Sequence, residues 1–203
     1  MTIKISFCKL EVMKNLTYSL YSLKNTVFTT QEISLILREN NLNRLKSKIN
    51  YFVKKGIINN LRRGLYAKTN DYEILEVANK ILTPSYISLE TVLQKNGVTF
   101  QDYSKTIFLL SYQTRDIKLG EYTFSFKKIK EDILANPSGI INNNGYAIAS
   151  LERAFLDRIY LSNNYYFDNL NPIGWKKTRA LLKIYKNTAM ERRYKKYVKD
   201  FHS

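Results

Sequence analysis

Between Val27 and Lys68, two runs of apolar residues fall at helical spacing and are separated by a polar break. Ile33, Ile36 and Leu37 form the first stripe, and Leu45, Ile49, Phe52 and Val53 form the second, each along one helix face. Thr30 is placed to cap the first helix with its hydroxyl. Asn40-Asn41 ends that helix, because Asn bonds its own backbone and tolerates left-handed conformations. The second pattern restarts at Leu42 or Asn43, and Gly56 closes it as a left-handed cap. Ile57 and Ile58 suit a strand, Arg62-Arg63-Gly64 a tight turn, and Leu65-Tyr66-Ala67 a returning strand. Upstream, Glu11 to Lys24 predicts another helix with Val12, Leu16, Leu20 and Leu23 on one face. Three helices followed by a hairpin are the layout of a winged helix-turn-helix.

The later patterns mix both periods. Tyr72 to Leu82 predicts a helix stopped by Thr83-Pro84, and Ser88 to Asn96 a short one capped by Ser88. Thr106 to Tyr112 is apolar and β-branched; Glu121 to Ile129 alternates, with Tyr122, Phe124 and Phe126 on one face. Asp116 to Gly120 between them fits either a strand or a connecting loop. Asn142-Asn143-Asn144-Gly145 is a turn, followed by a short strand at Tyr146 and Ile148 and a helix from Ser150 to Leu161. Two more helices close the chain, about Gly174 to Lys186 and Ala189 to Phe201. Met190, Tyr194, Tyr197, Val198 and Phe201 form one stripe on the last. The expected architecture is α+β: a winged helix-turn-helix over residues 1–70, then a C-terminal mixed domain over 71–203 with a small antiparallel sheet and several helices.

Charge sharpens that division. The 203 residues carry a formal net charge of +16. Residues 1–70 hold 13 Lys and Arg against 3 acids, residues 71–175 hold 10 against 12, and residues 176–203 hold 10 against 2. A near-neutral centre between two basic blocks points to an extended polyanion. The sign change near Asn70-Asp71 sets the expected boundary. An anionic membrane attracts the same charge, but there is no lipidation motif, apolar anchor or membrane-length run, and a cytoplasmic protein is expected. Cys8 and His202 are each alone in the composition, which excludes a finger-type zinc site and a Cys–His pair away from the terminus. No paired-carboxylate motif marks a nuclease; neither metal nor cofactor is expected, and enzymatic activity is the weakest function class.

The side chains left outside the second stripe fit a nucleic-acid groove. Thr30, Gln31, Asn41, Asn43, Arg44, Lys46, Ser47, Lys48 and Tyr51 are the candidate contacts of the helix-turn-helix, with Arg62 and Arg63 on the hairpin beside Asn59 and Asn60. Arg, Lys, Asn and Ser read base edges or hold phosphates there. The bland alternative is a packing module with a solvated basic face. In the C-terminal block, Lys176, Lys177, Arg179, Arg192, Arg193, Lys195, Lys196 and Lys199 form a second basic face, either solvated or in contact with nucleic acid. Glu152-Arg153 and Asp157-Arg158 read as ordinary intrahelical ion pairs worth ~0.3–0.5 kcal/mol each.

Three stretches carry a family resemblance: Val27-Phe28-Thr29-Thr30 leading to Lys55-Gly56; Arg63-Gly64-Leu65-Tyr66 leading through Pro84-Ser85-Tyr86-Ile87-Ser88-Leu89-Glu90 to Asn96-Gly97; and Ala149-Ser150-Leu151-Glu152-Arg153-Ala154-Phe155-Leu156-Asp157. In order and spacing the chain resembles the abortive-infection AbiEi family, antitoxins and transcriptional autoregulators of type IV toxin–antitoxin systems that serve in phage defence. Thr91-Val92-Leu93, Asn96 and Leu151 depart from the family's usual residues. The resemblance implies a repressor that binds inverted repeats in double-stranded promoter DNA of its own operon. It also implies a C-terminal domain that counters a nucleotidyltransferase-like toxin without a stable complex. With no leucine heptad in the chain, a monomer that pairs on DNA is expected. The competing expectation is a plain winged-helix regulator whose second domain binds a ligand or partner.

Overall fold

Strand β1 (Val27–Thr29) passes directly into helix α1 (Thr30–Leu37), and Thr29 makes the switch. Its hydroxyl accepts the Glu32 N–H at 3.2 Å while the Glu32 carboxylate accepts the Thr29 N–H at 2.7 Å, a reciprocal capping box. The cap is therefore Thr29, not the expected Thr30, because Thr29 keeps the extended backbone that lets its oxygen reach the third helical N–H. Arg38 ends α1 in a left-handed conformation (φ 49°). Asn41 does not end that helix but opens the next: its Oδ1 accepts the N–H groups of Asn43 and Arg44, both at 3.1 Å, at the head of α2 (Leu42–Lys54). Gly56 follows α2 with φ +66°, the left-handed closure expected of it.

The computed structural model describes residues 17–202, a mixed α+β chain that divides into two units after Ile81. Of the expected upstream helix, residues 11–16 lie outside the described residues; residues 17–22 are helical. Leu20 is buried in one core with Phe28, Ile33, Leu45, Ile49, Phe52 and Ile58, whereas Leu23 is exposed. Strand β2 (Asn59–Arg62) starts just past the expected Ile57-Ile58 and turns through Arg63-Gly64 into β3 (Leu65–Ala67). The three strands form an antiparallel sheet in the order β1-β3-β2, with Val27 and Asn59 both opposite Ala67.

Helix α3 (Ile74–Ile81) belongs to this first unit. Its Glu76 carboxylate accepts the N–H groups of Thr26 and Val27 at 2.8 Å. Its Lys80 ammonium donates to the Val27 carbonyl at 2.7 Å and pairs with Glu32 at 2.7 Å. The boundary thus falls at Ile81, past the Asn70-Asp71 position that charge alone indicates, because α3 completes the hydrogen bonds of β1.

The second unit is built on six strands: β4 (Ser85–Ile87), β5 (Thr106–Ser111), β6 (Arg115–Leu119), β7 (Tyr122–Lys128), β8 (Ile140–Asn143) and β9 (Tyr146–Ala149). Their order is β6-β7-β5-β4-β9-β8. The expected small antiparallel sheet is corrected to a larger, mixed one: β5 runs parallel to β7, and β4 parallel to β9. The open segment Asp116 to Gly120 is the reason. It is strand β6, which pairs antiparallel with β7 on the side away from β5 and leaves β7 parallel to β5.

Helices α4 (Glu90–Lys95), α5 (Glu131–Leu134), α6 (Leu151–Leu161), α7 (Trp175–Leu181) and α8 (Thr188–His202) accompany this sheet, with a 3-10 turn at Leu182–Ile184 where the tail helix was expected to continue. Ser150 caps α6, accepting the Arg153 N–H at 3.3 Å. Ser88 caps nothing; α4 begins after Leu89, a fully buried residue at φ 55°. Phe155 on α6 packs with Phe167, Trp175 and Tyr197 at ring separations of 4.8, 5.8 and 6.0 Å. Among the described residues, no helix is long and apolar enough to cross a membrane.

Candidate nucleic-acid interface

Burial of Leu45, Ile49 and Phe52 fixes which way α2 faces. Opposite them lie Asn43, Ser47 and Lys54, all exposed, with Asn50, which the sequence reading did not single out. Arg44 and Lys46 are exposed on the two shoulders of that face. Leu42, at the head of the helix, is an apolar side chain 68% exposed. Several of the candidates, the exposed Ser47 included, also make contacts within the unit. Asn41 spends its carbonyl oxygen on the cap. Lys48 is half-buried and ion-paired with Glu39 at 2.7 Å, which holds the Glu39 carboxyl below its ordinary range. The Asn41 N–H, donating to Glu39 at 3.2 Å, adds to that lowering. Ser47 donates to the Asn43 carbonyl at 3.0 Å. Tyr51 is half-buried, its ring edge-on to Phe52 with Lys55 6.0 Å from its centroid.

Thr30 and Gln31 open α1, Gln31 exposed and Thr30 half-buried beside the hairpin turn, where its N–H donates to the Gly64 carbonyl at 3.0 Å. Gly64 has φ +87°, a conformation that keeps the turn tight and presents Arg63 to solvent. Arg62 is half-buried at the end of β2, and Asn59 is tied to Asn70 at 2.9 Å. Of the expected contacts in the first unit, Gln31, Asn43, Arg44, Lys46, Ser47, Arg63 and the capping Asn41 are exposed, while Thr30, Lys48, Tyr51 and Arg62 are half-buried.

In the second unit, Lys176, Lys177 and Arg179 are exposed on α7, and Arg192, Lys195, Lys196 and Lys199 are exposed on α8. Arg193 stands apart: its guanidinium donates to the Ser162 carbonyl at 3.1 Å and to Asn163 Oδ1, so it anchors a loop rather than joining the open face. Glu191 is half-buried and Asp200 exposed beside these cations. Among the described residues, no cluster of His, Cys, Asp and Glu is arranged to hold a metal.

Arg153 and Asp157 are not the surface pair that their spacing indicates. Both are fully buried, with Arg153 Nε 3.3 Å from Asp157 Oδ1. The guanidinium also donates to the carbonyls of Ile133 and Ser138, each at 2.7 Å, and to the Tyr86 hydroxyl at 3.1 Å. Asp157 accepts from Tyr185 at 2.6 Å, Ser88 at 2.8 Å and Tyr86 at 3.1 Å. Burial pushes the Asp157 carboxyl up, against the Arg153 charge and the hydroxyl donors that pull it down. Arg158 pairs with the buried Glu90 at 2.8 Å and lies over the Tyr165 ring at 4.9 Å. Ala154, Phe155, Leu156 and Ile159 are buried alongside the two charges, so apolar neighbours in α6 were the one sequence signal for this burial. No family model matches the chain, and no curated protein is significantly similar to it.

Proposed function

We propose that this chain is a winged helix-turn-helix DNA-binding repressor that autoregulates a toxin–antitoxin operon, with α2 as recognition helix and the β2–β3 hairpin as wing. The observation that carries the reading is the face of α2. Asn43, Arg44, Lys46 and Ser47 are solvent-exposed within its first turns, opposite a fully apolar face, on a helix that follows a short turn from α1. That is where such a helix meets base edges and phosphates. Two further features support it: a hairpin presenting Arg63, and the excess of cations over acids in residues 1–70. The antitoxin role rests on the resemblance carried by Val27–Thr30, Arg63–Tyr66, Pro84–Glu90 and Ala149–Asp157.

Gel-shift titration against the upstream region of its operon tests the DNA reading. Arg44→Ala with Lys46→Ala is expected to weaken specific binding at least tenfold, since a good base contact is worth about 1–3 kcal/mol. The pair leaves the core untouched, so unchanged affinity with an unchanged fold removes α2 from the interface. Co-expression with the adjacent open reading frame tests the antitoxin reading. Growth rescue supports it; repression without rescue favours a plain winged-helix regulator whose second unit takes a ligand or partner.

A further inference from the structure

We propose that α8, with the grooves on its two sides, is a binding surface for single-stranded nucleic acid. The site lies within the second unit and stands independently of any role for α2.

The helix is divided cleanly by chemistry. Met190 and Tyr194 are buried and Tyr197 half-buried beneath it, while Arg192, Lys195, Lys196 and Lys199 occupy an arc of about 100° on the opposite face. From Arg192 to Lys199 that stripe runs about 10 Å along the axis, the span of two or three phosphates of one strand. No acid interrupts it, since Glu191 and Asp200 flank the arc on either side.

Aromatic rings lie beside this stripe in both grooves. One groove, of about 370 Å³, is bounded by Tyr165, Tyr166, Tyr197, Arg193 and Lys196, with the acid Asp200 also in its lining. The other, of about 490 Å³, lies between α7 and α8 and is lined by Trp175, Tyr194, Lys176, Arg179 and Lys195, with the acid Glu191 among them. Tyr166 is 80% exposed, yet its loop is held. The Tyr197 hydroxyl donates to the Tyr165 carbonyl at 2.5 Å, and Arg193 donates to Ser162 and Asn163. A ring kept in water by a pinned loop is preorganised for stacking. Duplex bases are stacked on one another and cannot use such a ring; unpaired bases can. Cations alone fit any polyanion, and the adjoining aromatic residues select the single strand.

The test uses the full chain carrying Arg44→Ala and Lys46→Ala, which separates this surface from the α2 reading. Fluorescein-labelled oligo(dT) and oligo(U), a blunt duplex of unrelated sequence, and phosphatidylserine vesicles serve as probes. The single strands are expected to bind more tightly than the duplex or the vesicles. Arg192→Ala, Lys195→Ala and Lys196→Ala together are expected to flatten the slope of log K against log salt by about 2, at ~0.7 per phosphate. Tyr166→Ala is expected to weaken single-strand binding about five- to a hundredfold with the slope unchanged, and Tyr166→Phe to keep the affinity. All four positions are exposed or lie on an exposed helix face, and circular dichroism checks that the fold is kept. Duplex binding as tight as single-strand binding, preference for the vesicles, or full affinity in Tyr166→Ala overturns the proposal.

Discussion

Asp157 holds more of the second unit together than any other carboxylate in it. It receives hydrogen bonds from β4 and its following turn, from α6 and from Tyr185, and the guanidinium it faces is itself fully buried. Removing one partner of such a pair leaves an uncompensated buried charge. Asp157→Ala is therefore expected to cost about 3–5 kcal/mol in urea unfolding, far beyond the surface-pair value that its spacing invites. A cost below about 1 kcal/mol would mean that Arg153 finds water. Glu39 makes a gentler prediction. Its folded pKa is lowered, first by the hydrogen bond from Lys48 and then by the Asn41 N–H. The pair thus adds stability above the ordinary glutamate range, and that contribution disappears as pH falls through the lowered value. Carboxyl chemical shifts followed by NMR should place the Glu39 midpoint below the ordinary glutamate range. Lys48→Ala should move it back up only in part, because the Asn41 donor remains.

At the scale of elements, α2 shows what periodicity reveals and what it conceals. Its apolar stripe, its closing Gly56 and the turn at Gly64 follow from spacing and from backbone freedom, and the structure has them where the pattern puts them. The caps do not follow. Thr29 and Thr30 are chemically alike, as are Asn40 and Asn41, and only backbone angles decide which member caps the start of a helix. Pairing direction was hidden for a related reason: alternation in β7 says which residues share a face but names no partner strand. The buried charges of α6 were obscured because an Arg four residues before an Asp or Glu has the same spacing inside as outside. Among the candidate contacts, Asn41 changes role accordingly. Asn41→Ala is expected to destabilise the first unit by about 1 kcal/mol, as lost caps do. Asn43→Ala should leave its thermal midpoint unchanged and, with α2 as the proposed recognition helix, reduce DNA affinity. Equal melting of the two variants would refute the division between cap and contact.

For the whole molecule, the unit boundary matters most. A fragment ending at residue 70 lacks Glu76 and Lys80, and with them the acceptor of the Thr26 and Val27 N–H groups and the donor to the Val27 carbonyl. Left unpaired in a buried strand, such groups cost about 1–3 kcal/mol each. Residues 1–81 are expected to unfold in one cooperative transition, and residues 1–70 at a clearly lower temperature in the same calorimetric scan. Matching midpoints would show that α3 is dispensable.

A single guanidinium in the second unit reaches the ends of three separate stretches: the backbone from Ile133 to Ser138, the tyrosine of β4 and, through the carboxylate, Tyr185. None of these stretches can lift away without breaking the shared knot. Slow amide hydrogens near it should consequently exchange together, at the rate of complete unfolding of the unit.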